Sequence, residues 1–213
     1  MATAIHDHRR ADGVSWQPSL LAVADAPAID RTLDGARRRF LGRGAWVDHV
    51  PGWVQGADAL FEELMATAPW KAEGQRWMYD RIVDVPRLTT GAWHEGKPPL
   101  LGRMARCLSR HYGVRLPSIS ANLYRDGNDS VAWHGDQVGR HRVTTIVAIV
   151  SLGSPRTLLL RPDGGGASAG YQLHSGDLLV QGGTCQKAFQ HCVPKRAHAG
   201  PRISVMFRER HGH

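Results

Sequence analysis

Cysteine is scarce in this chain, and the little there is stands apart: Cys107, Cys185 and Cys192 form no CxxC pair. Three scattered thiols exclude a disulfide framework of the secreted kind. At 213 residues the chain is long enough to bury a core without such staples. Nothing at the N-terminus reads as a secretory signal, and no apolar run approaches the ~20 residues that a membrane helix needs. The expectation is a cytoplasmic (intracellular) protein with no membrane partner. Acidic residues are the third shortage. With 19 Asp and Glu against 27 Lys and Arg, the chain carries a formal charge of +8. Such a balance favours a polyanionic partner, because Lys and Arg release condensed counterions when they neutralise phosphates. A solvated basic face explains the same excess, so charge alone names no partner. Seven tryptophans add flat faces able to stack on bases, although most belong in a core.

Residues 1–37 mix His, Arg, Asp, Ala and Pro without a sustained period and read as a flexible N-terminal segment. GAWVDHVPGWV looks like a short strand broken by Pro51. In ADALFEELMATAPW the apolar residues Leu60, Phe61, Leu64 and Met65 fall at helical spacing before Pro69. RWMYDRIVDVPRLTTGAW alternates like strands, and PPLLGRMARCLSRHYGV predicts a second helix with Leu100, Leu101, Met104, Cys107 and Leu108 inward. From Ser118 onward come short β-rich runs: SISANLY, SVAWH, VTTIVAIVSLG, RTLLLRP, YQLHSGDLLVQGG, KAFQHCVP and RISVMFRE. So many short strands point to a sandwich or jelly roll. RPDGGGASAGYQ lacks the Lys and Ser/Thr of a phosphate-cradling loop.

The chemistry concentrates in NLYRDGNDSVAWHGD, which ends on His134 and Asp136 with one glycine between them. Residues two apart on a strand share a face, so an imidazole and a carboxylate can aim at one point. Two histidines and one carboxylate with open positions make the facial triad of non-haem Fe(II) oxygenases. His141, His174, His191 and His198 are candidates for the second imidazole, and His191, in a late strand-like run, is favoured. In RISVMFR, Arg202 and Arg208 share strand parity while Ile203, Val205 and Phe207 take the other face. Two inward arginines need anions, and a dicarboxylate held by guanidinium forks would supply them. Asn122 and Tyr124 form a further polar pair spaced by two.

The ordered set N-x-Y-x-D-G-x-x-x-V-x-x-H-x-D, then FQHCVP, then R-x-x-x-x-x-R resembles the AlkB family of Fe(II) and 2-oxoglutarate dependent dioxygenases. VPRLTTGAW and SLGSPRTLLLRP are similar to it as well, so the likeness runs from about residue 55 to Glu209. The resemblance implies an α+β, mainly β fold: a double-stranded β-helix (jelly roll) over 118–213, with residues 38–117 forming support and a nucleotide-recognition lid. It implies His134, Asp136 and His191 as iron ligands. Arg202 and Tyr124 would hold the distal carboxylate of 2-oxoglutarate, with Ser204 beside it where an asparagine is usual. Asn122 and Arg208 would lie near the metal-bound end.

It further implies a chemistry: Fe(II), 2-oxoglutarate and O2 oxidatively demethylate alkylated nucleobases such as 1-methyladenine and 3-methylcytosine in DNA or RNA, releasing formaldehyde and succinate. Trp77, Tyr79 and Trp93 are candidates for stacking on the extruded base, and Arg140 and Arg142, beside His141, for gripping phosphates. Core packing and a solvated loop are the ordinary readings of these residues. Gln137, Val138 and Gly139 follow Asp136 where DNA-repair members commonly carry acidic residues, which leaves the lesion preference open. Two other functions fit the same residues: this oxygenase chemistry on a protein or small molecule, or a catalytically silent nucleic-acid binder. A monomer is expected.

Overall fold

A computed structural model describes Val14 and residues 26–78, 81–136 and 143–210, without the side chains of 73, 75–78 and 81–84. Its strands are β1 (Ala28–Ile29), β2 (Arg37–Gly42), β3 (Ala45–Val50), β4 (Val54–Gln55), β5 (Lys71–Met78), β6 (Arg81–Thr89), β7 (Ser118–Tyr124) and β8 (Val131–His134). They continue with β9 (Val147–Gly153), β10 (Arg156–Pro162), β11 (Ala169–Leu173), β12 (Leu178–Gly183), β13 (Phe189–Val193) and β14 (Arg202–Arg208). The helices are α1 (Ala57–Thr67), α2 (Pro99–Tyr112) and the single turn α3 (Cys185–Ala188).

Twelve of these strands make two sheets. The larger runs β2-β3-β12-β9-β14-β7-β6-β5 and the smaller β11-β10-β13-β8, all paired antiparallel. This is a jelly-roll core, as the strand count implied. β9 is buried along its whole length because both faces of the larger sheet are covered. One face carries Ile203, Val205, Phe207, Ile119, Ala121 and Leu123 against α1 and α2. The other carries Val47, Val147, Ile149 and Met206, which meet Leu158, Leu160 and Phe189 of the smaller sheet.

The helices form where the apolar period requires. Leu60, Phe61 and Leu64 of α1, and Leu100, Leu101, Met104, Cys107 and Leu108 of α2, are the buried sides. Pro99 opens α2, where its missing N–H costs nothing. Gly113 closes it at φ 67, with its N–H donated to the Ser109 carbonyl.

The expectation of a flexible segment up to residue 37 fails at its C-terminal end. β1 pairs with β4, Leu33 is buried in the core, and the Trp53 indole N–H donates to the Asp30 carbonyl at 2.7 Å. A division at residue 118 cuts across hydrogen bonds, since β2, β3, β5 and β6 belong to the same sheet as β7 and β14.

Candidate active site

The turn from β7 to β8 is held by its own hydrogen bonds. The Asp129 carboxylate accepts from the Arg125 backbone N–H and guanidinium at 2.8 to 2.9 Å. Arg156, fully buried, donates to the carbonyls of Asp126, Asp129 and Pro194. Gly127 has no substitute, because a Cβ there would lie 1.8 Å from the Arg196 carbonyl oxygen. These contacts fix the entry into β8, and so the position of His134.

His134 ends β8 and faces His191 directly across the β8–β13 pairing, with ring centroids 4.3 Å apart. Asp136 lies just past the strand, and the three offer ligand atoms all within 4.8 Å of one another. His134 Nδ1 is 2.8 Å from the Ala132 carbonyl oxygen. A carbonyl only accepts, so Nδ1 carries the hydrogen and Nε2 keeps its lone pair. Burial pushes both imidazoles down, His191 to about 3, so both are neutral near pH 7. Burial alone would raise the Asp136 carboxyl, but the Arg208 guanidinium, joined at low pH by the imidazoles once they are protonated, outweighs it and holds it below its ordinary range. Two neutral nitrogens and a carboxylate are the protonation states a divalent metal needs.

Arg208 Nε donates to Asp136 Oδ2 at 2.8 Å, and its Nη1 to Ser120 Oγ at 2.9 Å. On the other side, Gln186 Oε1 accepts from the Asp136 backbone N–H at 3.1 Å, and Gln186 is itself held by Gln181. The carboxylate is thus fixed through both side chain and backbone.

Behind the triad, three central strands of the larger sheet present polar rows. Register aligns Asn122, Ser204 and Ser151 in one row, and Tyr124, Arg202 and Gly153 in the next. Arg202 is 1 % exposed; its Nε donates to Ser151 Oγ at 2.8 Å, and its Nη1 is buried without a partner. Burial pushes its pKa down, and among the described residues no carboxylate forms an ion pair with it. The guanidinium stands 5.2 Å from the Tyr124 ring centroid. A buried cation with a spare N–H fits an anionic ligand. Asn122 Nδ2 and Ser204 Oγ both point at Met206 Sδ, at 3.8 and 3.3 Å.

The structure therefore gathers His134, Asp136, His191, Arg208, Asn122, Tyr124, Arg202 and Ser204 on the inner side of the sandwich. Trp93 is corrected. It packs in the helix-side core at 5 % exposure with its indole N–H on the Glu95 carbonyl, leaving no ring face for a base. The side chain of Trp77, and Tyr79, Arg140 and Arg142, lie outside the described residues. Sequence reasoning missed Ser151, Ser120, Gln186, Arg156 and Arg87. Ser151 was findable, as the one hydroxyl in VAIVSLG and in parity with Val147 and Ile149. Arg87 of β6 lies close enough to lower both imidazoles, and its Nε is buried without a partner. Nothing local in VPRL marked it.

A jelly roll with two neutral imidazoles and one carboxylate converging between its sheets defines the class of non-haem metal oxygenases. Residues 89–208 match the 2OG-Fe(II) oxygenase superfamily, and the chain belongs to that family. Fe(II), 2-oxoglutarate and O2 are its cofactors. The chain is similar to alpha-ketoglutarate-dependent dioxygenase alkB homolog 3 of Bos taurus and of Homo sapiens, at 32% identity over 186 residues in each case. Each alignment takes in 74% of this chain but only 64% of the relative. DNA oxidative demethylase ALKBH2 of Arabidopsis thaliana is 32% identical over 146 residues, 57% of this chain and 46% of that protein. Among solved structures, OsALKBH1 superposes with a TM-score of 0.58 at 12% identity, covering 82% of this chain and 100% of that one. A prolyl-4-hydroxylase from Pseudomonas putida reaches 0.50 at 12% identity, covering 77% and 92%. These structural likenesses speak to the fold.

Proposed function

We propose that this protein is an Fe(II) and 2-oxoglutarate dependent dioxygenase that removes alkyl groups from nucleobases in DNA or RNA, 1-methyladenine and 3-methylcytosine among them. The observation that carries the reading is the pairing of the His134, Asp136 and His191 cluster with Arg202, a buried guanidinium holding a spare N–H behind it. The first suits Fe(II), and the second suits the far carboxylate of a dicarboxylate. The nucleic-acid substrate is supported by the likeness to the plant DNA oxidative demethylase and by the net charge of +8.

In this reading His134, Asp136 and His191 bind the metal. Arg202 and Tyr124 would grip the distal carboxylate of 2-oxoglutarate, Ser204 and Asn122 would line the next row, and Arg208 orients Asp136 through its 2.8 Å hydrogen bond. Bound together, Fe(II) and 2-oxoglutarate supply the O2-dependent hydroxylation of the N-alkyl carbon, giving succinate and CO2, after which the base releases that carbon as an aldehyde. The apolar inner core packs beside the site. To arrive there a base must leave its stack, at a cost of a few kcal/mol that is least for lesions unable to pair. The β5–β6 hairpin, at the edge of the larger sheet and carrying Arg87 next to the imidazoles, serves as the nucleotide-recognition lid; Trp77 and Tyr79 are stacking candidates on the sequence alone.

The test is formaldehyde release, with mass spectrometry of the oligonucleotide, after anaerobic loading with Fe(II) and 2-oxoglutarate and then exposure to O2. Loss of the methyl mass by the wild type and not by His134→Ala is the expected result. Succinate formation without any loss of methyl mass from DNA or RNA would overturn the nucleic-acid substrate.

A further inference from the structure

The face of the larger sheet opposite the triad is covered by α2, and every charged residue on the outer side of that helix is basic. Arg103, Arg106 and Arg110 are exposed at positions i, i+3 and i+7, and PLLGRMARCLSRHY contains no Asp or Glu. Arg110 and His111 lie in the last turn, where cations complement the helix dipole. Arg103 and Arg106 lie too far from that end for the same reason to hold. Arg31, from the segment before β2, meets the C-terminal half of the helix, and Arg31, Cys107, Arg110 and His111 line an open cavity of about 420 Å³.

Two carboxylates near this side, Asp30 and Asp48, have donors of their own. Asp30 accepts from the Thr32 backbone N–H and hydroxyl, and Asp48 from Arg38 and from the Tyr112 hydroxyl. Among the described residues, none of Arg31, Arg103, Arg106 and Arg110 forms an ion pair. Arg31 and Arg110 therefore flank the concavity, and Arg103 and Arg106 carry the basic stripe on along the exposed side of the helix.

We infer that this face is a second nucleic-acid contact, binding the phosphodiester backbone through Arg31, Arg103, Arg106, Arg110 and His111, on the side of the fold away from the chemistry. The identity of the occupant rests on the nucleic-acid reading above; the surface itself rests on its charge and shape. From Arg103 to Arg110 the stripe spans roughly 10 Å of helix axis. A DNA strand offers a phosphate about every 3.4 Å of duplex axis, so the stripe can meet several at once. A membrane fits poorly, because the large apolar side chains exposed among the described residues are Phe40 and Val143, and neither is on α2. An acidic protein partner fits poorly for the same reason, since interfaces are anchored by buried aromatic and aliphatic side chains.

The experiment compares the full chain with its Arg103→Gln/Arg106→Gln/Arg110→Gln variant. Fluorescence anisotropy with unmodified, labelled duplexes of about 20 base pairs is followed between roughly 50 and 200 mM salt. Each phosphate contact contributes about 0.9 to the log–log salt slope. The variant is expected to show a slope shallower by about 2 to 3 and an affinity at least several-fold weaker at low salt. The substitutions are on exposed positions, so melting temperature serves as the folding control. An unchanged slope and affinity would overturn the inference, as would binding to vesicles of anionic lipid with none to the duplex. Formaldehyde release by the wild type from a methylated trinucleotide is read separately and reports on the active site alone. Release with an unchanged slope sinks the second surface only, and a changed slope without release sinks the catalytic reading only.

Discussion

Arg202 is the residue that most needs a ligand. Its guanidinium is buried, its Nη1 lacks a partner, and no described carboxylate offsets its charge. Replacing an uncompensated buried cation by an apolar chain of similar length is neutral or stabilising. Arg202→Met is therefore expected to leave the melting temperature of the ligand-free protein unchanged or raised, while abolishing the rise that saturating 2-oxoglutarate gives the wild type. Thermal melts with and without 2-oxoglutarate, in the presence of Mn(II), decide it; a retained rise would remove Arg202 from the cosubstrate site. His191 yields a prediction in pH. Its folded pKa is lowered from 6.5 to about 3, so the unfolded chain takes the proton first. The associated stability is complete above pH 6.5 and is lost as pH falls towards 3. At pH 5 the metal-free protein should have lost about 2 kcal/mol at this residue alone. Urea midpoints at pH 7 and 5 in chelator should fall less for His191→Gln than for the wild type. At this scale the sequence was most readable: parity paired Asn122 with Tyr124 and Arg202 with Arg208, and the family resemblance added Ser204. Trp93 was misjudged, because an aromatic in a loop shows no periodicity that reveals which way it packs.

Among the elements, α3 shows what short pieces hide. KAFQHCVP reads as one strand, but residues 185–188 are a helical turn and the strand starts at Phe189. A single turn is too short to show a 3.6-residue period, so no pattern announced it. Yet this turn carries Gln186, whose side chain accepts from the Asp136 backbone N–H and is anchored by Gln181. Groups that orient a metal ligand commonly contribute 10- to 100-fold in metal affinity. Gln186→Ala is expected to weaken Co(II) binding by about tenfold, measured by titration of the metal-free protein. A lower melting temperature with unaltered Co(II) affinity would assign Gln186 to the fold alone. The longer elements were readable for the converse reason: five apolar positions at helical spacing fixed the inward side of α2, and all five are buried.

For the molecule as a whole, the larger sheet is a partition. Its helix-side residues build the main core, and its inner residues build the site, so alternate positions along one strand carry different duties. β14 makes the point in consecutive residues: Val205 is fully buried against the helix-side core, while Ser204 aligns with Asn122 and Ser151 in the inner polar row. Alternation made this partition visible in RISVMFR, whereas the joining of β2, β3, β5 and β6 to the same sheet was not, since strand order depends on contacts far apart in the chain. The two duties should separate on substitution. Val205→Ala removes buried methyl groups and is expected to cost about 1 to 3 kcal/mol of stability with the 2-oxoglutarate concentration for half-maximal succinate formation unchanged. Ser204→Ala is expected to do the reverse, raising that concentration several-fold while moving stability by less than about 1 kcal/mol. Chemical denaturation and cosubstrate titration on the same two variants test both halves. If the two parameters moved together in each variant, the sheet would not divide stability from chemistry, and the inner row would be core like the rest.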